Sequence, residues 1–174
     1  QTTGTTESLL GMSVIDANTV WAVGTHGTIV KTVNGGSSWA VQTSGTTVAL
    51  AAIHAIDANQ AWAVGVNGTI LRTSNGGSTW VGSGTGVAGD NFRSVYAVDA
   101  NTVWVSGGAG VIRKSSDGGN SWVSQSIGSF TDQLGKLVAV NASTAWVVGE
   151  TGRLFKTTDG GATWSSINTG TTNP

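Results

Sequence analysis

Tryptophan occupies eight positions, Trp21, Trp39, Trp62, Trp80, Trp104, Trp122, Trp146 and Trp164, and these form four pairs each separated by 18 residues. The pairs recur every 41 or 42 residues. Aligned on them, the copies read IDANTVWAVGTHGTIVKTVNGGSSW, IDANQAWAVGVNGTILRTSNGGSTW, VDANTVWVSGGAGVIRKSSDGGNSW and VNASTAWVVGETGRLFKTTDGGATW. Self-similarity at such a period marks a propeller, solenoid or array, because each unit buries its apolar faces only against its neighbours. A residue present in every copy builds the unit. Functional candidates therefore lie where the copies differ.

The second copy illustrates the unit. Leu50 to Ile56 is a mostly apolar run, as expected of a strand buried on both faces. Asp57-Ala58-Asn59 is a turn, since Asp and Asn side chains accept hydrogen bonds from nearby backbone amides. Ala61 to Gly65 reads as a second strand, and Val66-Asn67-Gly68 as a hairpin turn ending in glycine. Thr69 to Thr73 is a third strand, Ser74-Asn75-Gly76-Gly77 a further turn, and Ser78 to Gly82 a fourth strand. Four short antiparallel strands per ~42 residues describe a propeller blade. The expected architecture is all-β: a β-propeller of four four-stranded blades, either closed on itself or half of a larger ring or array. A single domain spans 1–174, with repeats at 7–48, 49–90, 91–132 and 133–174. Residues 1–6, Gln-Thr-Thr-Gly-Thr-Thr, match 42–47 and resemble 168–172, so they read as the tail of a preceding blade or a closing strand.

Each glycine pair, such as Gly76-Gly77, sits in a turn that demands positive φ. The tryptophan three residues later is placed to wedge between blades, burying on the order of 200 Å2. All eight rings read as structural rather than as platforms for stacking sugars.

At these turns the chain resembles a known repeat. Thr32-Val-Asn34-Gly-Gly-Ser-Ser-Trp39, Thr73-Ser-Asn75-Gly-Gly-Ser-Thr-Trp80, Ser115-Ser-Asp117-Gly-Gly-Asn-Ser-Trp122 and Thr157-Thr-Asp159-Gly-Gly-Ala-Thr-Trp164 are similar to Asp-box, or bacterial neuraminidase (BNR), repeats. The wider pattern WAVG..GTI..T..GG..W resembles propellers of the photosystem II assembly and stability factor type and their secreted bacterial relatives. The resemblance implies a structural clasp in which the Ser/Thr and Asp/Asn side chains hold the hairpin between the third and fourth strands. Asn34 and Asn75 in place of Asp suit hydrogen bonding better than catalysis. The same resemblance implies more than four blades, often seven; four blades in an open arc would leave their outer faces uncovered.

Composition excludes several function classes. Eight Lys and Arg against nine Asp and Glu give a net charge of −1, and Lys31, Arg72, Lys114 and Lys156 recur at one repeat position, so no basic patch marks a nucleic-acid binder. The absence of cysteine excludes disulfides, thiolate metal sites and thiol nucleophiles. No apolar run of ~18 residues spans a membrane. A start at Gln1, sparse charge and abundant Ser, Thr and Gly lead to the expectation of a processed extracellular or periplasmic protein.

No catalytic constellation assembles. The sialidases that lend BNR repeats their name need an arginine triad and a tyrosine nucleophile with a glutamate. Here Arg72, Arg93, Arg113 and Arg153 lack that family's arginine context, and Tyr96 is the single tyrosine. A glycosidase needs two carboxylates ~5 to 9.5 Å apart. With the turn and box residues set aside, only Glu7, Asp90, Asp132 and Glu150 remain. Glu7, Asp90 and Asp132 align just before the innermost strands, which suggests a cation rim at one end of the channel; the plainer reading is solvated loop carboxylates. His26 and His54 fall at different repeat positions and form no metal pair. No cofactor or resident metal is expected.

The innermost strands differ most among copies. Ser13, His54, Tyr96 and Val138 are equivalent, as are Leu10, Ala51, Arg93 and Gly135, and Gly11, Ala52, Ser94 and Lys136. Arg93, Tyr96, Lys136 and His54 thus form a candidate binding site at the channel mouth. The plainer alternative is a set of channel-lining residues bonded to one another or to water. The expected function is a non-enzymatic, extracytoplasmic binding or assembly scaffold whose partner is a protein or another copy of itself, a homo-oligomer joined through open blade edges. The alternatives are a carbohydrate-binding or glycan-processing module and a structural subunit of an extracellular polymer.

Overall fold

The computed structural model describes residues 1–83 and 89–170; Thr172 of the end match and Pro174 lie outside them. Among the described residues sixteen strands make four antiparallel sheets. The first holds β1 (Leu9–Val14), β2 (Val20–Gly24), β3 (Ile29–Thr32) and β4 (Ala40–Gln42), and the second β5 (Leu50–Ala55), β6 (Ala61–Gly65), β7 (Ile70–Thr73) and β8 (Val81–Gly82). The third holds β9 (Phe92–Ala97), β10 (Val103–Gly107), β11 (Ile112–Ser115) and β12 (Val123–Gln125), and the fourth β13 (Leu134–Ala139), β14 (Ala145–Gly149), β15 (Leu154–Thr157) and β16 (Ser165–Ile167). Within every sheet the spatial order follows the sequence order, so each repeat is one up-and-down blade of a β-propeller. The inner strands β1, β5, β9 and β13 pack side by side in that order around the axis.

Local chemistry explains the repeat. Asp16 Oδ1 accepts from the amides of Asn18 and Thr19 at 2.7 and 2.8 Å, closing the first turn of its blade, and Asp57, Asp99 and Asn141 do the same in theirs. The second turn has positive φ at both central residues, for example 55° and 69° at Asn67 and Gly68, the geometry whose twist matches the flanking strands. In the third turn, Thr32 Oγ1 donates to Asn34 Oδ1 at 2.9 Å and accepts from the Gly36 amide at 2.9 Å, while the Ser38 amide donates to Asn34 Oδ1. Thr73 with Asn75, Ser115 with Asp117 and Thr157 with Asp159 repeat the arrangement. Bonds from Ser121 and Thr163, first through their hydroxyls and then their amides, hold the carboxyls of Asp117 and Asp159 down to about 2. The fourth strand is shorter than the sequence suggests: Ser78–Trp80 stays with the turn, and pairing begins only at Val81.

Three apolar cores lie between successive blades. Trp21, Val23 and Ile29 meet Leu50, Ile53 and Ala55; Trp62, Val64 and Ile70 meet Phe92, Val95 and Ala97; Trp104 and Ile112 meet Leu134, Leu137 and Ala139. Trp80, Trp122 and Trp164 close these cores at their outer edges.

Candidate functional site

The inner strands bring their most variable residues to one mouth. The equivalent residues Leu10, Ala51, Arg93 and Gly135, one from each blade, line a single cleft of about 640 Å3 together with Lys136. A register shift near the start of each inner strand, for instance between Leu50 and Ala52, puts this residue out of the alternation and lets it face the opening. Arg93 and Lys136 are exposed there, so the cleft pairs apolar walls with two cations. Arg93 also borders an adjoining cleft of about 170 Å3 near Glu150. Asn91, which the repeat comparison did not single out, lines the main cleft and accepts from the Asn67 amide at 3.3 Å. Its signal was hidden because it sits in a connection whose length differs between copies.

His54 and Tyr96 are placed differently. Their rings lie 4.4 Å apart, centroid to centroid, deeper along the inner strands and outside the lining of the main cleft. His54 Nδ1 accepts from the Ala97 amide at 2.7 Å, tying blade two to blade three. Ser13 Oγ makes the equivalent bond from the Ala55 amide at 3.0 Å, and Ser94 Oγ accepts from Leu137 at 3.0 Å. His54 therefore acts as an inter-blade acceptor, a role only the neutral imidazole fills. Burial, and secondarily the charge of Lys136, push its pKa down to about 4.

The three aligned acids are not gathered into a rim site. Glu7 Oε2 accepts from Thr25 Oγ1 at 2.7 Å and meets His26 Nδ1 at 2.7 Å; the Thr25 bond, before the His26 one, lowers its pKa. Asp90 Oδ2 takes Nε and Nη2 of Arg113 at 3.0 and 2.7 Å, both side chains being largely buried. Asp132 is exposed, and its carbonyl accepts from the Gly110 amide at 2.8 Å. Among the described residues no group of three His, Cys, Asp or Glu side chains could hold a metal ion. The cation-rim expectation fails because Glu7 and Asp90 are each drawn to a partner within reach of their own blade.

Of the eight tryptophans, Trp21, Trp62 and Trp104 are fully buried, Trp80 is buried, and the other four are half-buried. No helix among the described residues is long and apolar enough to cross a membrane.

The family model described as Photosynthesis system II assembly factor YCF48 matches residues 2–84 and 85–156. Among solved structures, one described as YCF48 bound to D1 peptide aligns with a TM-score of 0.62 at 18% identity, covering 93% of this chain and 82% of that one. YCF48 from Cyanidioschyzon merolae aligns with a TM-score of 0.73 at 18% identity, over 95% of this chain but 57% of that one, so this chain spans little more than half of that relative. A GH74 enzyme from Niastella koreensis aligns with a TM-score of 0.73 at 20% identity, over 95% of this chain and 31% of the enzyme. At such identities these likenesses show the fold alone. No curated protein matches the chain. The family match corrects the expected extracellular or periplasmic location. The family is described by an assembly role for photosystem II, which is work at the photosynthetic membrane rather than at a cell surface. Composition misled because low charge and a lack of cysteine follow from the repeat itself and carry no address.

Proposed function

Since this chain belongs to the family described as photosystem II assembly factor YCF48, we propose that it is a non-enzymatic assembly scaffold that binds a protein partner at the cleft formed by its inner strands. The observation carrying this reading is the convergence of one residue from every blade on a cleft with apolar walls and two cations, Arg93 and Lys136. Such a lining suits an extended peptide segment carrying a carboxylate, with backbone and side chains against Leu10 and Ala51 and the charge against the two bases. A solved relative described as bound to D1 peptide makes a peptide ligand the natural first probe. His54 supports the site by tying the inner strands of blades two and three, and both it and Tyr96 stand outside the lining of the cleft.

The non-enzymatic reading is supported by the cleft's chemistry. Among the described residues neither Asp nor Glu lines the main cleft, where a glycosidase would need a carboxylate pair for acid–base work. A glycan reading finds little support, because four of the eight tryptophans are buried and the other four are half-buried. The test is fluorescence anisotropy with a labelled D1 peptide. Saturable binding, weakened at least tenfold in the Arg93→Ala/Lys136→Ala double variant and reduced by added salt, is the expected result. Binding that the double variant leaves unchanged would place the partner elsewhere.

A further inference from the structure

Among the described residues the main cleft is lined by apolar and glycine positions and by three polar side chains, Asn91, Arg93 and Lys136. Blade three stands between blades two and four, so the part of the cleft that Asn91, Phe92 and Arg93 build has a neighbouring blade on either side. Phe92 is 1% exposed and belongs to the core between blades two and three, whereas Asn91 and Arg93, which flank it, are exposed.

Asn91 is held at two of its polar groups. Its backbone carbonyl accepts from the Gly108 amide at 2.9 Å, the bond that Ser8, Ala49 and Gln133 make with the amides of Thr25, Val66 and Glu150 in the other blades. Its Oδ1 accepts from the Asn67 amide at 3.3 Å. That second bond fixes the orientation of the carboxamide: the oxygen meets the blade-two turn, and Nδ2 carries the two N–H groups that remain. Among the described residues nothing accepts from Nδ2. The backbone bond recurs in every copy while the side chain changes from Ser to Ala, Asn and Gln, so the repeat itself makes no demand on the carboxamide. With Oδ1 taken, each polar side chain lining the cleft is a donor: an amide, a guanidinium and an ammonium. A ligand seated there has to supply oxygens.

We propose that Asn91 is a binding residue of this cleft, and that the ligand is an extended peptide with two oxygen-bearing side chains two residues apart. One, a carboxylate, lies on Arg93; the other, a carboxylate or carboxamide oxygen, accepts from Asn91 Nδ2. The inference rests on the peptide-binding reading above and supplies the ligand pattern that reading leaves open. The spacing follows from the strand. Asn91 and Arg93 are two residues apart, roughly 6 Å along an extended chain, and side chains two apart on an extended ligand face the same way at the same interval. Lys136, from β13, adds a second positive charge for the carboxylate.

The probe is the labelled D1 peptide, read by fluorescence anisotropy, with its Asp, Glu, Asn and Gln side chains replaced by alanine one at a time. Asn91→Ala should weaken binding roughly three- to tenfold, the range of a single hydrogen bond, and by the same factor at low and high salt. The loss in Arg93→Ala/Lys136→Ala should instead shrink as salt rises. Asn91→Asp, which can still accept from the Asn67 amide, should weaken binding at least as much as Asn91→Ala. One peptide replacement should cost the same factor in the unaltered protein and nothing in Asn91→Ala, since the two groups are partners. That replacement should fall two residues from the one that is likewise silent in Arg93→Ala. Normal binding by Asn91→Asp would reduce Asn91 to a brace for the Asn67 turn. That result, or peptide replacements that add to Asn91→Ala in every pairing, would overturn the assignment and leave the cleft reading standing. A peptide that does not bind, or that binds regardless of Arg93 and Lys136, would overturn both.

Discussion

Acid should loosen the propeller through one imidazole before any carboxylate responds. His54 Nδ1 accepts from the Ala97 amide at 2.7 Å, and burial first, then Lys136, takes its pKa from an ordinary 6.5 to about 4. The folded state therefore binds fewer protons than the unfolded chain between these values. The His54 contribution is complete above pH 6.5 and is lost as the pH falls towards about 4. At 1.36 kcal/mol per unit the whole gap corresponds to about 3 kcal/mol, and about 2 kcal/mol of it is gone by pH 5. The ring keeps some solvent contact, so about 1 kcal/mol is the working figure, a fall of ~2–4 °C in Tm for a chain of this size. The carboxyls of Asp117 and Asp159 are held at about 2 and those of Glu7, Asp16, Asp57 and Asp99 are lowered, so their losses set in only below about pH 5, at the acid end of the histidine's range. Urea unfolding at pH 8, 6 and 5 reads the slope, and imidazole titration by NMR assigns it. His54→Gln, which can still accept from Ala97, should flatten the slope between pH 8 and 5. A His54 resonance titrating near pH 6.5, or an unchanged slope in the variant, would refute the account.

Two further expectations concern the turns. Thr157 is buried, with Oγ1 donating to Asp159 at 2.8 Å and accepting from the Gly161 amide at 2.9 Å, so Thr157→Val leaves that amide without a partner and should cost about 1–3 kcal/mol in urea unfolding. Thr151 is a β-branched residue at φ 58°, where the second blade has Asn67 at 55°; Thr151→Asn should raise stability by about 0.5–1 kcal/mol, read as a higher urea midpoint with the same slope.

What was legible in the sequence is what each copy must do alone, and what was not is what two copies do together. The Asp57 turn and the Thr73–Asn75 turn are satisfied by bonds within one blade, so strand order and turn positions followed from a single repeat. The short fourth strand was less visible, because the bonds between Asn75 and Thr79 keep the chain in the turn until Trp80 has passed. Arg93 and Lys136 stood out as departures from an apolar pattern, and they do share a cleft. His54 and Tyr96 departed from the same pattern for another reason. At that position Ser13 and His54 each supply an acceptor to the amide of the following blade, while Tyr96 packs against the His54 ring. Variation between copies therefore marks two different things: side chains released from structural duty, and side chains that perform one duty with different chemistry. The hydrogen-bond partner across the blade boundary separates them, and that partner lies about 42 residues away, beyond any local motif.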